Sequence, residues 1–184
     1  MQQDAVDMIT SLSVFFRTSL SKGKDIIPLS EEKRHTLSYL EIQQSRYRDI
    51  MEFEINIPPE LDEVMVPKLT LQPLAENALY HGIKNKRGKG KILITGKKQG
   101  DKIIFQVIDN GKGMTEEELN SLRKKMAGTD TGDEAKGFGV SNVNQRIKLA
   151  CGEQYGIIIE STPYQGSRFT IQLPIMREGE GNET

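Results

Sequence analysis

The sequence predicts an α+β fold: a two-layer sandwich in which a mixed, mostly antiparallel sheet carries helices on one face, preceded by two helices. Two pairs of strand-like runs point to the sheet, Lys91–Gly96 with Lys102–Asp109 and Ile157–Ile159 with Phe169–Leu173. Helix-period segments lie between these pairs, and two more precede the first strand.

In chain order, Ala5, Met8, Ile9, Leu12, Phe15, Phe16 and Leu20 repeat at helical spacing and end at Ser21-Lys22-Gly23. Ser30, followed by Glu31 and Glu32, reads as the N-cap of a second helix whose stripe continues through Leu37, Leu40, Tyr47 and Met51. Phe53 to Ile57 alternates and meets Pro58-Pro59, so it is a short strand ended by prolines. A buried helix is expected from about Pro67 to Ile83, with Pro73 as an irregularity within it.

The run Lys97 to Asp101, containing Gly100, turns the first hairpin. Thr115 and Glu118 form a capping box for a helix reaching about Ala127. Gly128 to Lys136 is small and polar, which predicts a loop before a helix that opens near Phe138 or Gly139. The second hairpin turns through Pro163 and Gly166 and is followed by a polar tail. No internal repeat is present. The organisation expected is a helical arm over 1–51, a domain over 52–176 and a tail over 177–184.

At 184 residues the chain can bury one ordinary core plus an appendage. Lys and Arg total 25 against 26 Asp and Glu, so there is no electrostatic footprint for nucleic acid or anionic lipid. The single Cys151 allows no internal disulfide, and no Cys/His cluster has metal-site spacing. No apolar stretch approaches the roughly 18 residues needed to span a bilayer.

Phosphate binding needs glycine-exposed N–H groups, preferably at a helix N-terminus. Asp109-Asn110-Gly111-Lys112-Gly113 ends a buried strand, and Gly137-Phe138-Gly139 opens a helix continuing through Val143 and Ile147. Neither segment is a Walker loop or a dinucleotide-binding fingerprint. A carboxylate at the end of an apolar strand needs donors: Asp109 suits the exocyclic amino group of a purine, and it equally suits a turn in Asp-Asn-Gly. Glu76, Asn77 and His81 lie on an otherwise apolar helix, and a Mg-phosphate group would satisfy them. Asn77 and His81 are four apart and share a face, although His81 read alone is a packed or helix-end histidine.

Taken in order, Glu76-Asn77-Ala78-Leu79-Tyr80-His81-Gly82, the Asp109 segment and the Gly137 segment resemble the N-box, G1 box and G2 box of the ATPase superfamily that unites gyrase, Hsp90, histidine kinases and MutL. Gly166-Ser167 stands where that family usually has Gly-Thr, and Ser keeps the hydroxyl. At a finer level, Tyr39-Leu40-Glu41-Ile42-Gln43 with Arg46-Tyr47, Leu71-Gln72-Pro73-Leu74-Ala75-Glu76-Asn77, and Gly139-Val140-Ser141-Asn142-Val143 with Arg146 resemble LytS- and YesM-like bacterial sensor histidine kinases.

The resemblance implies a Bergerat ATP-binding fold whose cofactors are ATP and Mg²⁺. Asp109 would hold the adenine amino group, Asn77 would ligate the metal, and Gly111 and Gly113 would admit the nucleotide. Gly137, Phe138, Gly139 and Val140 would present backbone to the phosphates, Ser167 would line the site, and Gly128 to Lys136 would be the lid. Many relatives carry Lys at the position of Tyr80, and Lys84, one turn on, is a candidate substitute for that phosphate contact. Glu76 and His81 are catalytic candidates, either polarising the attacking imidazole or orienting metal-bound water, or else holding the helix in place.

In that group the phosphoacceptor lies in an Asn-Pro-His-Phe segment, which this sequence lacks. His35 lies in Glu31-Glu32-Lys33-Arg34-His35-Thr36 and reads as a solvated helix residue. The resemblance therefore implies the cytoplasmic kinase region of a plasma-membrane sensor. It would transfer the ATP γ-phosphate to a His N-terminal to this segment for passage to a response regulator, in a parent protein that dimerises. The alternatives are an ATPase of the same superfamily, against which the chain ends soon after Leu173-Pro174, and a nucleotide-binding module acting through the Met8–Leu20 stripe.

Overall fold

The computed structural model describes residues 24–84, 86–128 and 138–178, together with Ser13. The expected first helix, the loop beyond Gly128 and Gly137 lie outside the described residues.

The described chain begins with a strand, β1 (Ile26–Pro28), where helix alone was expected before Phe53. Its β-branched pair joins β3 (Met65–Pro67) in an antiparallel ladder, Ile26 opposite Pro67 and Pro28 opposite Met65. Pro28 then turns the chain into α1 (Leu29–Arg46) and is itself the N-cap, so Ser30 lies inside the helix. Loop carbonyls replace a side-chain cap: the Leu29 N–H donates to Val64 O (2.7 Å) and the Ser30 N–H to Asp62 O (3.0 Å).

Helix α1 stops at Arg46, short of Met51, which opens β2 (Met51–Asn56). Its inner face carries Glu32, His35, Thr36, Tyr39 and Leu40 at helical spacing, all buried. His35 is thus a buried residue, 3% exposed, and not the solvated one its charged neighbours suggested. Burial moves its imidazole pKa below the usual 6.5.

After a 3₁₀ turn (Pro59–Leu61) and β3, the buried helix begins later than expected, at α2 (Gln72–Asn77). Pro73 sits in its first turn, where an N–H has no intrahelical acceptor to lose. The helix then widens into a π turn, Ala78–Ile83, in which Lys84 N–H donates to Leu79 O at 2.8 Å.

The main sheet contains β2, β4 (Gly90–Gln99), β5 (Lys102–Asp109), β6 (Gly156–Thr162) and β7 (Gly166–Pro174) in the order β2-β4-β5-β7-β6. β2 and β4 run parallel, and every other pair is antiparallel. Ile92, Ile94, Phe105, Val107, Phe169 and Ile171 are fully buried and alternate with more exposed residues, so one face is packed and the other solvated. α2 with its π turn and α4 (Phe138–Cys151) pack on that apolar face, with Ala78, Leu79, Val143 and Ile147 in the shared core.

α3 (Glu116–Met126) has the expected reciprocal cap: Thr115 Oγ1 accepts from the Glu118 N–H (3.2 Å) and Glu118 Oε2 accepts from the Thr115 N–H (2.9 Å). Thr115→Ala should lower unfolding stability by about 1 kcal/mol. Urea denaturation followed by far-UV circular dichroism reads this directly, and an unchanged midpoint would mean that packing alone fixes the start of α3.

Candidate functional site

The end of β5 meets the π turn at the distance of touching backbones. A Cβ on Gly111 would lie 2.3–2.5 Å from the Gly82 main chain, and a Cβ on Gly82 would lie 2.5 Å from Asp109 Oδ1. No side chain fits at either position. The approach is fastened by the Lys112 N–H, which donates to Gly82 O at 3.0 Å. The contact that Gly111 permits is therefore with the helix.

Gly113 has φ +65, and a Cβ there would sit 2.0 Å from Thr162 O, so it turns the segment against the β6–β7 hairpin. The Met114 N–H then donates to Ser161 Oγ at 2.9 Å, and Ser161 Oγ lies 3.0 Å from Ser167 Oγ.

Beside this junction opens a cavity of about 330 Å³, within the range of small-molecule sites. Asn77 and His81 reach it from the helix, Asp109 and Gly113 from the end of β5, and Ser167 from β7. These are five of the residues singled out in the sequence. Register explains the meeting of two of them, because Asp109 is paired with Ser167 across the β5–β7 ladder.

Asp109 is 3% exposed, and its Oδ1 accepts from the Gly111 N–H at 2.8 Å. Burial lifts its carboxyl from 3.8 to about 6; the Gly111 N–H, the backbone and hydroxyl of Ser167 and the Lys86 charge oppose that rise. A buried carboxylate with open acceptor capacity facing a cavity fits a ligand that donates hydrogen bonds. The Asn77 amide fits a hard cation, and no group of three or more His, Cys, Asp or Glu that could hold a metal occurs among the described residues. A cation here would be held jointly with a ligand's oxygens.

The other expected residues lie elsewhere. Glu76 is exposed, with its carboxylate accepting from Gln72 Nε2 at 3.2 Å, and it does not line the cavity. Lys84 Nζ lies over the Tyr80 ring (5.2 Å) and the Tyr47 ring (5.7 Å), on the side facing α1. Gly139 is exposed in the first turn of α4, while Val140 is buried in the core. Gly137 and the Phe138 side chain lie outside the described residues.

Sequence reasoning missed Gly82 as a site residue, although it closes the Glu76–Gly82 run. It also missed the α3 wall, where Glu118, Ser121, Leu122 and Lys125 face the cavity. Their three-and-four spacing is visible in the sequence, but the capping box by itself explains Glu118. Lys112 also lines the cavity, with its Nζ 4.0 Å from Glu118 Oε1.

Residues 67–177 match the family model of histidine kinase-, DNA gyrase B- and HSP90-like ATPases, and residues 1–51 match a histidine kinase model. Sensor histidine kinase YesM of Bacillus subtilis is 34% identical over 177 residues, which cover 96% of this chain and 29% of YesM. Sensor protein LytS of the same organism is 32% identical over 177 residues, covering 96% of this chain and 29% of LytS. Sensor histidine kinase BtsS of Escherichia coli is 29% identical over 172 residues, covering 94% of this chain and 28% of BtsS. The chain thus spans less than a third of the length of the curated relatives it matches.

Among solved structures, the catalytic domain of histidine kinase ThkA superposes with a TM-score of 0.59 at 21% identity, covering 83% of this chain and 97% of that one. The histidine kinase domain of an Erythrobacter litoralis blue-light activated kinase gives 0.58 at 16%, covering 94% and 75%. These likenesses establish the fold.

Asp109 also makes a stability prediction. Its carboxyl titrates higher in the folded chain than in the unfolded one, so its contribution is fully present below about 3.8 and is lost as pH rises through about 6. Asp109→Asn should therefore unfold less readily than the parent above pH 6, by on the order of 2–3 kcal/mol, with the difference closing below pH 4. Paired thermal melts across that range check the sign. A variant less stable at pH 7 would show that the ionised carboxylate is net stabilising.

Proposed function

Because the chain belongs to the histidine kinase-, DNA gyrase B- and HSP90-like ATPase family, we propose that it is the ATP-binding catalytic core of a two-component sensor histidine kinase. The observation that carries this reading is the buried Asp109 carboxylate facing the cavity beside a glycine-lined strand end, with Asn77 and His81 on the same cavity.

In this reading Asp109 accepts the adenine amino group, a charged hydrogen bond in a site with little water, and so selects adenine over guanine. Ser167 and the Gly111 N–H hold the carboxylate in place. Asn77 serves as a ligand to Mg²⁺ bound through the phosphates; when bound, that ion neutralises charge on the transferring phosphoryl group. His81, exposed on the cavity wall, would orient a water or the incoming imidazole, a role its place in the cavity lining supports better than it does for Glu76. Lys84 would reach phosphates only by leaving its two tyrosine rings, whereas Lys112 and Lys125 already line the cavity.

Residues 1–51 would serve as the helical arm, 52–176 as the nucleotide-binding domain and 177–184 as a tail. Gly137, Phe138, Gly139 and Val140 would supply backbone to the phosphates at the start of α4. The phosphoacceptor His would come from a segment N-terminal to this one, the next acceptor would be a response regulator, and the whole protein would be a dimer anchored in the bacterial plasma membrane. No helix among the described residues is long and apolar enough to cross a membrane.

Calorimetric titration tests the nucleotide assignment. A non-hydrolysable ATP analogue should bind with Mg²⁺ and GTP poorly, and Asp109→Asn should weaken the analogue about ten- to a hundredfold. Wild-type affinity should also fall as pH drops below about 6, where Asp109 becomes protonated. Unchanged affinity in Asp109→Asn would sink the adenine assignment. Kinase activity is tested separately, by supplying a peptide or domain bearing the Asn-Pro-His-Phe acceptor with radiolabelled ATP. An acid-labile, base-stable label on that histidine is expected; nucleotide binding without any label would leave a binding module.

A further inference from the structure

The helix bearing Asn77 and His81 has no cap of its own. It runs unbroken from Gln72 to Ile83, and Leu71 at its N-cap position offers no side-chain acceptor. The acceptor comes instead from α1. Glu32, 1% exposed, spends both carboxylate oxygens on the chain just before the helix: Oε1 accepts from the Leu71 N–H at 2.7 Å and Oε2 from the Leu69 N–H at 2.9 Å.

The segment it holds is one the backbone would not choose. Leu69 sits at φ 57, the left-handed region that disfavours a residue with a Cβ. The same short segment is tied on its other side by α4, where Arg146 Nη1 donates to Lys68 O at 2.7 Å, and internally by Thr70 Oγ1 to Pro67 O at 2.6 Å. Burial is costly enough to push the Glu32 carboxyl upward despite those N–H donors. A surface glutamate in the first turn of α1 would have served the helix dipole without that cost.

We propose that Glu32 is a positioning residue for the phosphate end of the cavity: by holding the Leu69 and Leu71 N–H groups it fixes where the helix starts, and hence where Asn77 and His81 stand. Glu32 falls within the part of the chain that matches the histidine kinase model, and Leu69 and Leu71 within the ATPase model, so the contact joins the two regions. A displacement of α1 would then be read at Asn77, whereas Asp109 belongs to β5 and is held by its neighbours on the sheet. The inference rests on the ATP reading above.

The test is a comparison of two ligands on the 184-residue chain. Adenosine contacts the Asp109 end only; the Mg²⁺ complex of a non-hydrolysable ATP analogue uses both ends. In Glu32→Gln, which keeps one acceptor oxygen and turns an NH₂ toward the other N–H, affinity for the analogue should fall about tenfold while adenosine stays within about twofold of wild type. Glu32→Ala should show the same split, more strongly. A parallel loss of both ligands would mean that Glu32 serves the fold alone, and no loss of either would mean that it positions nothing; each overturns the proposal. Failure of the wild-type chain to bind either ligand overturns the nucleotide reading itself, a distinct result.

A second measurement needs no variant. By linkage, saturating wild type with the Mg²⁺–analogue complex should slow hydrogen exchange at the Leu69 and Leu71 amides at least about threefold, and adenosine should leave them unchanged. Equal rates with and without the complex overturn the proposal even if both variants fail to fold.

Discussion

A carboxylate is pressed against a helix at Gly82, and the rest of the site follows from how closely they approach. Asp109 lies where any side chain on residue 82 would have to be, and Gly111 lies against the carbonyl of the same residue. Two glycines, one on the π turn and one past the end of β5, therefore let a sheet and a helix meet with only the Asp109 carboxylate between them. The Lys112 N–H closes the junction on Gly82 O. The result is a cavity lined by main chain and the Asp109 carboxylate where sheet and helix meet, with Asn77 and His81 on the helix wall. The π turn contributes as well: the wider ring changes the rotation per residue just where His81 and Gly82 must face the cavity while Leu79 and Ile83 stay in the core.

Sheet register supplies the other half. Asp109 stands between Ile92 on β4 and Ser167 on β7, so one neighbour is hydrocarbon and the other a hydroxyl. The first removes water from the carboxylate and the second donates to it. These opposing effects leave the group titrating at about 6, so it is largely ionised at neutral pH without being saturated by protein donors. Such a group holds a ligand amino group at low reorganisation cost.

The extent to which this was legible varies by element. The two hairpins, the capped α3 and the helix from Phe138 follow from alternation and capping chemistry, which act within a few residues. Asn77, His81, Asp109 and Ser167 could be named because spaced motifs survive in sequence order, but their meeting depends on ladder register and on the Gly82–Gly111 contact, which no local pattern encodes. Helix α1 was legible as a helix from its acidic first turn and apolar stripe, but its buried polar face was not. Glu32 and His35 are polar residues on the inner face, Glu32 satisfied by N–H groups nearly forty residues away, and a helix of that kind carries little apolar periodicity. The β1–β3 pair was missed because three residues are too few to alternate.

Glu32 and Asp109 are both buried carboxylates raised by desolvation, and comparing them separates two uses of the same expensive group. Glu32 faces backbone: each oxygen has its own N–H partner, it is not among the residues lining the Asp109 cavity, and the bonds it makes hold Leu69 in a conformation that residue disfavours. Asp109 faces a cavity, with Oδ1 engaged at Gly111 and the remainder of its acceptor capacity shared between Ser167 and the open space. A buried charge is seldom retained for stability, since apolar residues of similar volume commonly do as well. In the first case the return is geometry, a helix start tied to another helix; in the second, under the proposed reading, it would be recognition by a hydrogen-bond acceptor held where water is scarce. The two lie at opposite ends of the helix of Asn77 and His81, one before its start and one against its π turn, so under the proposed reading the position of that helix between them is the variable on which phosphate binding would depend.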